Sequence, residues 1–151
     1  MKSVTIEMAK LEHLNNIVSF QLAMAKETED QILDKAILTK GVRAVFEKPN
    51  LAQYYVAINE GQVIASTMIT YEWSDWRNST VWWIQSVYVL PEFRGQKVFK
   101  KMYEYLQSQV KNSDNIGGLR LYVDKRNQNA QGVYETLGMN GEHYSLFEWM
   151  K

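Results

Sequence analysis

The stretch Val87-Tyr88-Val89-Leu90-Pro91-Glu92-Phe93-Arg94-Gly95-Gln96-Lys97-Val98-Phe99 decides how the rest of the chain is read. Its first half is apolar and β-prone, and Pro91 ends it because proline has no N–H to give a strand ladder. Its second half begins a helical pattern in which Val98, Met102, Tyr105, Leu106 and Gln109 recur on one face. Arg94 and Gly95 occupy the junction. A strand feeding a helix N-terminus beside a basic residue leaves several backbone N–H groups aimed at one spot. Those donors and the helix dipole together favour an anion such as phosphate. By local pattern alone, an ordinary strand–turn–helix with a surface arginine reads the same way.

Working outward, Val4, Ile6 and Met8 alternate as a short strand, and Leu14, Ile17, Val18, Leu22 and Ala25 follow at helical spacing. A second helix holds Ile37, Leu38, Val42, Val45 and Phe46 and closes at Pro49-Asn50. Tyr54–Ile58 and Val63–Trp73 form a hairpin in which Gly61 supplies a positive φ. Val81–Val89 is the next strand, the helix from about Gly95 to Val110 follows, and Leu119–Val123 is a further strand. Ala130, Val133, Tyr134 and Leu137 line a last helix, stopped by Gly138. A small strand near Met139-Asn140 and a closing strand Tyr144–Met150 complete the order βααβββαβαββ. This is an α/β fold: a mixed, mostly antiparallel sheet of about seven strands flanked by about four helices.

Composition narrows the function classes. With 151 residues and 46% apolar content, the chain is long enough for one domain, 1–151, with a sizeable core. Lys+Arg 17 balances Asp+Glu 17, which gives no bulk attraction to nucleic acid or an anionic membrane. Zero cysteines remove disulfides, thiolate metal sites and cysteine nucleophiles, and two histidines argue against a histidine-rich metal site. Charges interrupt the first ten residues, so no signal peptide is read there, and no apolar run approaches the ~20 residues of a membrane span. A cytoplasmic protein without a metal is the expectation.

The order of elements, the junction Pro91-x-x-Arg94-Gly95 and the later Asn127-x-x-Ala130-x-x-x-Tyr134-x-x-x-Gly138-Met139 resemble the GNAT N-acetyltransferase superfamily over essentially the whole chain. Thr70–Asn78 and Trp83–Val89 resemble a small single-domain bacterial subfamily of it. The resemblance implies that acetyl-CoA is the cosubstrate. It implies that the backbone of Val87, Tyr88 and Val89 pairs with the pantetheine arm like an added strand. It also implies that Arg94, Gly95, Gln96, Lys97, Val98 and Phe99 wrap the diphosphate, with Lys100 adding a cation nearby. The family usually carries small residues where Lys97 and Phe99 stand. Lys97 either crowds the diphosphate or pairs with it.

Acetyl transfer to an amine needs a neutral amine, a polarised thioester carbonyl and a proton for the leaving thiolate. By resemblance, Tyr134 is the general acid near the sulfur; a phenol with a pKa near ~10 is protonated at neutral pH and can donate. Otherwise it packs with Val133 and Leu137. Asn127 either hydrogen-bonds the cofactor or caps its helix. Glu72, among Tyr71, Trp73 and Trp76, is the candidate base, or else a solvent-facing glutamate paired with Arg77. Glu27 and Glu29 stand in the connection between the first two helices, where they read the amine or form an acidic turn. Gln85 positions substrate or water, or bonds a neighbour. Trp82 and Trp83 face opposite sides of the sheet, so at most one lines the cleft. Trp73 and Trp76 suit a cationic or aromatic amine through cation–π contact, or serve a core or dimer interface. The reading is transfer of an acetyl group from acetyl-CoA to a small primary amine by direct attack in a ternary complex, in a protein free to form a homodimer. The alternative is a non-catalytic acyl-CoA-binding or dimeric interaction module of the same fold.

Overall fold

Two-residue turns and alternating side chains build the centre of the molecule. Strand β2 (Gln53–Asn59) returns as β3 (Gln62–Ser74) through Glu60 and Gly61. Their φ values of 49° and 82° are both positive, as a type I′ turn requires. The computed structural model describes residues 3–151, and the chain divides into two compact units, Met1–Arg120 and Leu121–Lys151.

In the first unit, β1 (Thr5–Met8) is followed by a single 3-10 turn and then by helices α1 (Leu14–Glu29) and α2 (Lys35–Glu47). After the β2–β3 hairpin come β4 (Ser79–Val89), α3 (Val98–Lys111) and β5 (Ile116–Arg120). The strands pair in the order β1-β2-β3-β4-β5; the first three pairings are antiparallel and β4–β5 is parallel. The mixed, mostly antiparallel α/β architecture is therefore as expected.

The period-two alternation of the strands gives each face its own core. On one face Ile17, Val18, Phe20 and Val42 of the first two helices pack on Tyr54, Val56, Val63 and Tyr88. Phe20 stacks on Tyr88 with ring centroids 5.2 Å apart, and Phe46 on Tyr54 at 5.9 Å. On the other face Val98 and Met102 of α3 pack on Ala57, Ile64 and Ala65. There Tyr55 meets Tyr105 and Trp82. Truncating a fully buried side chain such as Met102 to alanine would cost about 2–5 kcal/mol.

The second unit contains α4 (Gln128–Thr136), with Gly138 at φ 86° just past its end. Two expectations are corrected here. The sheet has five strands rather than about seven, because neither Met139-Asn140 nor Tyr144–Met150 makes a ladder among the described residues. Apolar alternation records which side chains favour burial; it does not supply the edge a strand must pair with. The fifth strand is Ile116–Arg120 rather than Leu119–Val123. A Cβ on Gly117 would lie 2.5 Å from Ser79 Oγ, so any side chain there would force Ser79 to move before this strand could lie so close to β4.

Candidate active site

A bulge in β4 sets the geometry of the site. Met68 pairs with Gln85 and Ser66 with Tyr88, so Ser86 and Val87 together oppose Thr67. Ser86 takes a φ of 53° to make that turn. Thr67 Oγ1 donates to the Gln85 carbonyl at 2.9 Å, and the buried Gln21 reaches from α1 to the Ser86 carbonyl at 3.5 Å. The β4–β5 pairing ends at Trp83 and Arg120. From Ile84 to Val89, β4 runs on without β5 beside it, and among the described residues no other strand pairs with that edge along the bulge.

That edge leads into the loop at the start of α3. A 3-10 turn at Pro91–Phe93 is followed by Gly95 and Lys97, with φ values of 75° and 62°. Lys97 occupies the N-cap position of α3 in the left-handed conformation. Two left-handed residues just before a helix curl the chain so that successive N–H groups converge, the arrangement that holds anions. Of the residues expected here, Val98 is buried in the core and offers only its backbone, whereas Gly95, Gln96, Lys97 and Lys100 are exposed. Lys100 lies 3.7 Å from Glu104, Gln96 donates to the Glu92 carbonyl, and Phe99 packs beside Tyr103.

Arg94 joins this loop to α1. Its Nε donates to the Val89 carbonyl at 2.9 Å and its Nη2 to Glu27 Oε2 at 2.8 Å, while the guanidinium sits 5.3 Å from the centroid of the Tyr88 ring. The Tyr88 hydroxyl donates to the other Glu27 oxygen at 3.3 Å. Burial, followed by the negative charge of Glu27, raises the Tyr88 pKa, so its proton stays in place at neutral pH. Glu27 and Glu29 lie in the last turn of α1, not in the connection after it, because the helix persists to Glu29 and ends at left-handed Asp30. Glu27 is therefore held on a rigid element.

A polar row crosses three strands. Thr70, Glu72, Trp83, Gln85 and Arg120 share one face, the face of Met68 and of the α1–α2 core, as strand alternation requires. Gln85 donates to Thr70 Oγ1 at 2.8 Å. Glu72 Oε1 accepts from the Trp83 indole at 3.3 Å and from Arg120 Nη1 at 2.5 Å. The Glu72 partner is thus Arg120, since Arg77 turns to Ser74 instead. Of the two adjacent tryptophans, Trp83 joins the Glu72 row and Trp82 joins Tyr55 on the other face. Trp73 pairs with Thr80 on that other face, and Trp76 is 91% exposed at the hairpin tip. Neither stands beside Glu72. Arg120 went unread in the sequence. A signal was available, since a lone arginine in the apolar strand Leu119–Val123 calls for an acidic partner on a neighbouring strand.

In the second unit, Asn127 Oδ1 accepts from the Ala130 N–H at 3.1 Å, so Asn127 caps α4. Asp124 is bound by Arg126 through side chain and backbone, which holds its carboxyl far below the usual carboxylate range. Tyr134, in the last half of α4, is partly buried, and that burial raises its pKa. No helix among the described residues is long and apolar enough to cross a membrane.

A family profile described as the acetyltransferase (GNAT) family matches residues 11–139. No curated protein matches the chain. Among solved structures, a possible acetyltransferase from Clostridium difficile 630 is 40% identical, with a TM-score of 0.91 over 98% of this chain and 97% of that one. A predicted acetyltransferase with acetyl-CoA from Clostridium acetobutylicum shares the fold at 20% identity and a TM-score of 0.74, covering 97% of this chain and 96% of that one. So does AAC(6')-Iy in complex with a bisubstrate analogue, CoA-S-monomethyl-acetylneamine, at 17% identity and a TM-score of 0.79 over 99% of each chain.

Proposed function

The chain belongs to the acetyltransferase (GNAT) family, and from that membership we propose that residues 1–151 work as one domain that moves the acetyl group of acetyl-CoA onto a small primary amine. The observation that carries this reading is the edge of β4 past its pairing with β5, at the Ser86 bulge, which runs directly into the left-handed Gly95–Lys97 loop before α3. An extended arm with two amides matches a free strand edge, and a diphosphate matches converging N–H groups at a helix start. Val87, Tyr88 and Val89 take the arm; Arg94 to Phe99 take the diphosphate, with Lys100 nearby. The solved relatives whose descriptions include acetyl-CoA or a CoA-linked analogue support this choice of cosubstrate.

The acceptor approaches over the row of Glu72, Trp83, Gln85 and Arg120. Glu72, oriented by Arg120 and the Trp83 indole, draws in an ammonium group and takes its proton. The Trp83 ring offers a face to the same cation. The neutral amine then attacks the thioester carbon directly, and the C–S bond breaks as the new C–N bond forms. By the family pattern Tyr134 gives the departing thiolate its proton; a phenol whose pKa burial has raised is fully protonated at neutral pH.

The test pairs acetyl-CoA binding with turnover on a panel of primary amines. Wild-type protein should gain thermal stability with acetyl-CoA, and Tyr134→Phe should keep that gain while losing about 10²-fold or more in kcat. Unchanged turnover in Tyr134→Phe would remove it from the acid role. Absence of a shift at millimolar acetyl-CoA would overturn the cosubstrate reading.

A further inference from the structure

Ser86 is held at φ 53°, in the left-handed region that a residue with a Cβ enters only at a cost. Such a conformation persists where its surroundings over-determine it. Here the two peptide planes that meet at the Ser86 Cα are each tied by a buried side chain. The Gln85 carbonyl, in the plane before it, accepts from Thr67 Oγ1 at 2.9 Å. The Ser86 carbonyl, in the plane after it, accepts from Gln21 Nε2 at 3.5 Å. Because each peptide unit is planar, restraining both planes restrains φ and ψ of the residue between them.

The two ties come from different elements, β3 and α1. Thr67 is fully buried on β3. On α1, Leu14, Ile17, Val18, Phe20 and Ala25 turn inward, and Gln21, 6% exposed, is the polar member of that buried set. A buried amide costs stability unless it is bonded, and an apolar side chain of similar size would pack in its place. Phe20, beside it in the chain, stacks on Tyr88, so α1 is seated against the same stretch of β4. We propose that Gln21 is a positioning residue for the cosubstrate. With Thr67 it locks Ser86 in the left-handed turn and so sets the course of Val87–Val89, where the pantetheine arm is taken. The effect on acetyl-CoA rests on the proposed function; the lock on Ser86 does not.

Gln21→Met keeps roughly the same volume and removes the donor. Thr67→Val removes the other tie, and it carries the same readings should Gln21→Met not fold. In ligand-free protein the Ser86 Cα and Cβ chemical shifts, which follow φ and ψ, should move from left-handed toward extended values in either variant. Acetyl-CoA should bind about two- to tenfold more weakly by calorimetry. Adding Ser86→Gly should recover most of that affinity, because glycine enters the left-handed region freely. A side chain that merely fills the core would be indifferent to that second change. Ser86 shifts unchanged in both variants would overturn the lock and leave the proposed function standing. Moved shifts with unchanged affinity, or no recovery with glycine, would overturn the positioning role. Wild-type protein that binds no acetyl-CoA would overturn the proposed function and the positioning role with it, while moved Ser86 shifts would still uphold the lock.

Discussion

Lys97 carries two opposing effects that one substitution separates. Its φ of 62° is a left-handed conformation that costs an L-residue with a side chain about 1–2 kcal/mol. Glycine removes that strain but loses roughly 0.5–1 kcal/mol through the entropy of the unfolded chain. Lys97→Gly should therefore raise stability slightly, with a Tm about 1–4 °C higher. In the proposed diphosphate loop the same change deletes an exposed cation, whose pairing with a phosphate is worth roughly 0.2–1 kcal/mol. Acetyl-CoA should then bind about two- to fivefold more weakly by calorimetry. Tighter binding would mean that the lysine crowds the diphosphate. Glu27 tests the loop from the other side. Its pair with Arg94 is half exposed, so Glu27→Gln should change stability by less than about 1 kcal/mol. Removing a carboxylate that competes for Arg94 should tighten acetyl-CoA severalfold, and the gain should shrink as salt rises. An affinity unchanged at every ionic strength would take Arg94 out of the binding role.

Helix α4 has nine residues, too few to hold itself in water without help, so its cap matters. Asn127→Ala should cost about 0.5–2 kcal/mol, and Asn127→Ser, which keeps a capping oxygen, should restore most of it. If Asn127 also contacts the cofactor through its amide, serine will restore stability but not the KM for acetyl-CoA. Recovery of both would limit Asn127 to capping. At this scale the sequence was most readable, since capping, turn and periodicity signals are local. Asn127 before Ala130, Gly138 after Thr136 and Gly61 in the hairpin turn each act within a few residues. The turn before α3 was legible for the same reason, because Pro91, Arg94 and Gly95 are neighbours in the chain. What was misread depends on partners. The start of β5 was missed because Gly117 is set by its approach to Ser79. Tyr144–Met150 was assigned to a strand from side-chain preference, which carries no information about an edge to pair with.

Across the molecule, what local pattern could not reach is pairing over long separations. Arg120 meets Glu72 across 48 positions, and Arg94 meets Glu27 across 67. Only the folded sheet brings these charges together. The same folding buries Tyr54 and Tyr55 on opposite faces of β2 and pushes both phenol pKa values up to about 12. Their ordinary value, which the unfolded chain keeps, is 10.0. The folded state therefore binds these protons more tightly than the unfolded state does. Their contribution is complete below pH 10 and is lost as pH rises toward 12. Each tyrosine removes up to about 1.4 kcal/mol per pH unit across that window. Two such groups consume a large part of a total stability of roughly 5–15 kcal/mol within it. Urea midpoints should thus be level at neutral pH and fall steeply once pH passes 10. Tyr54→Phe and Tyr55→Phe should each flatten the alkaline slope, since phenylalanine has no proton to lose. A slope left intact in the double variant would assign the alkaline loss to other groups.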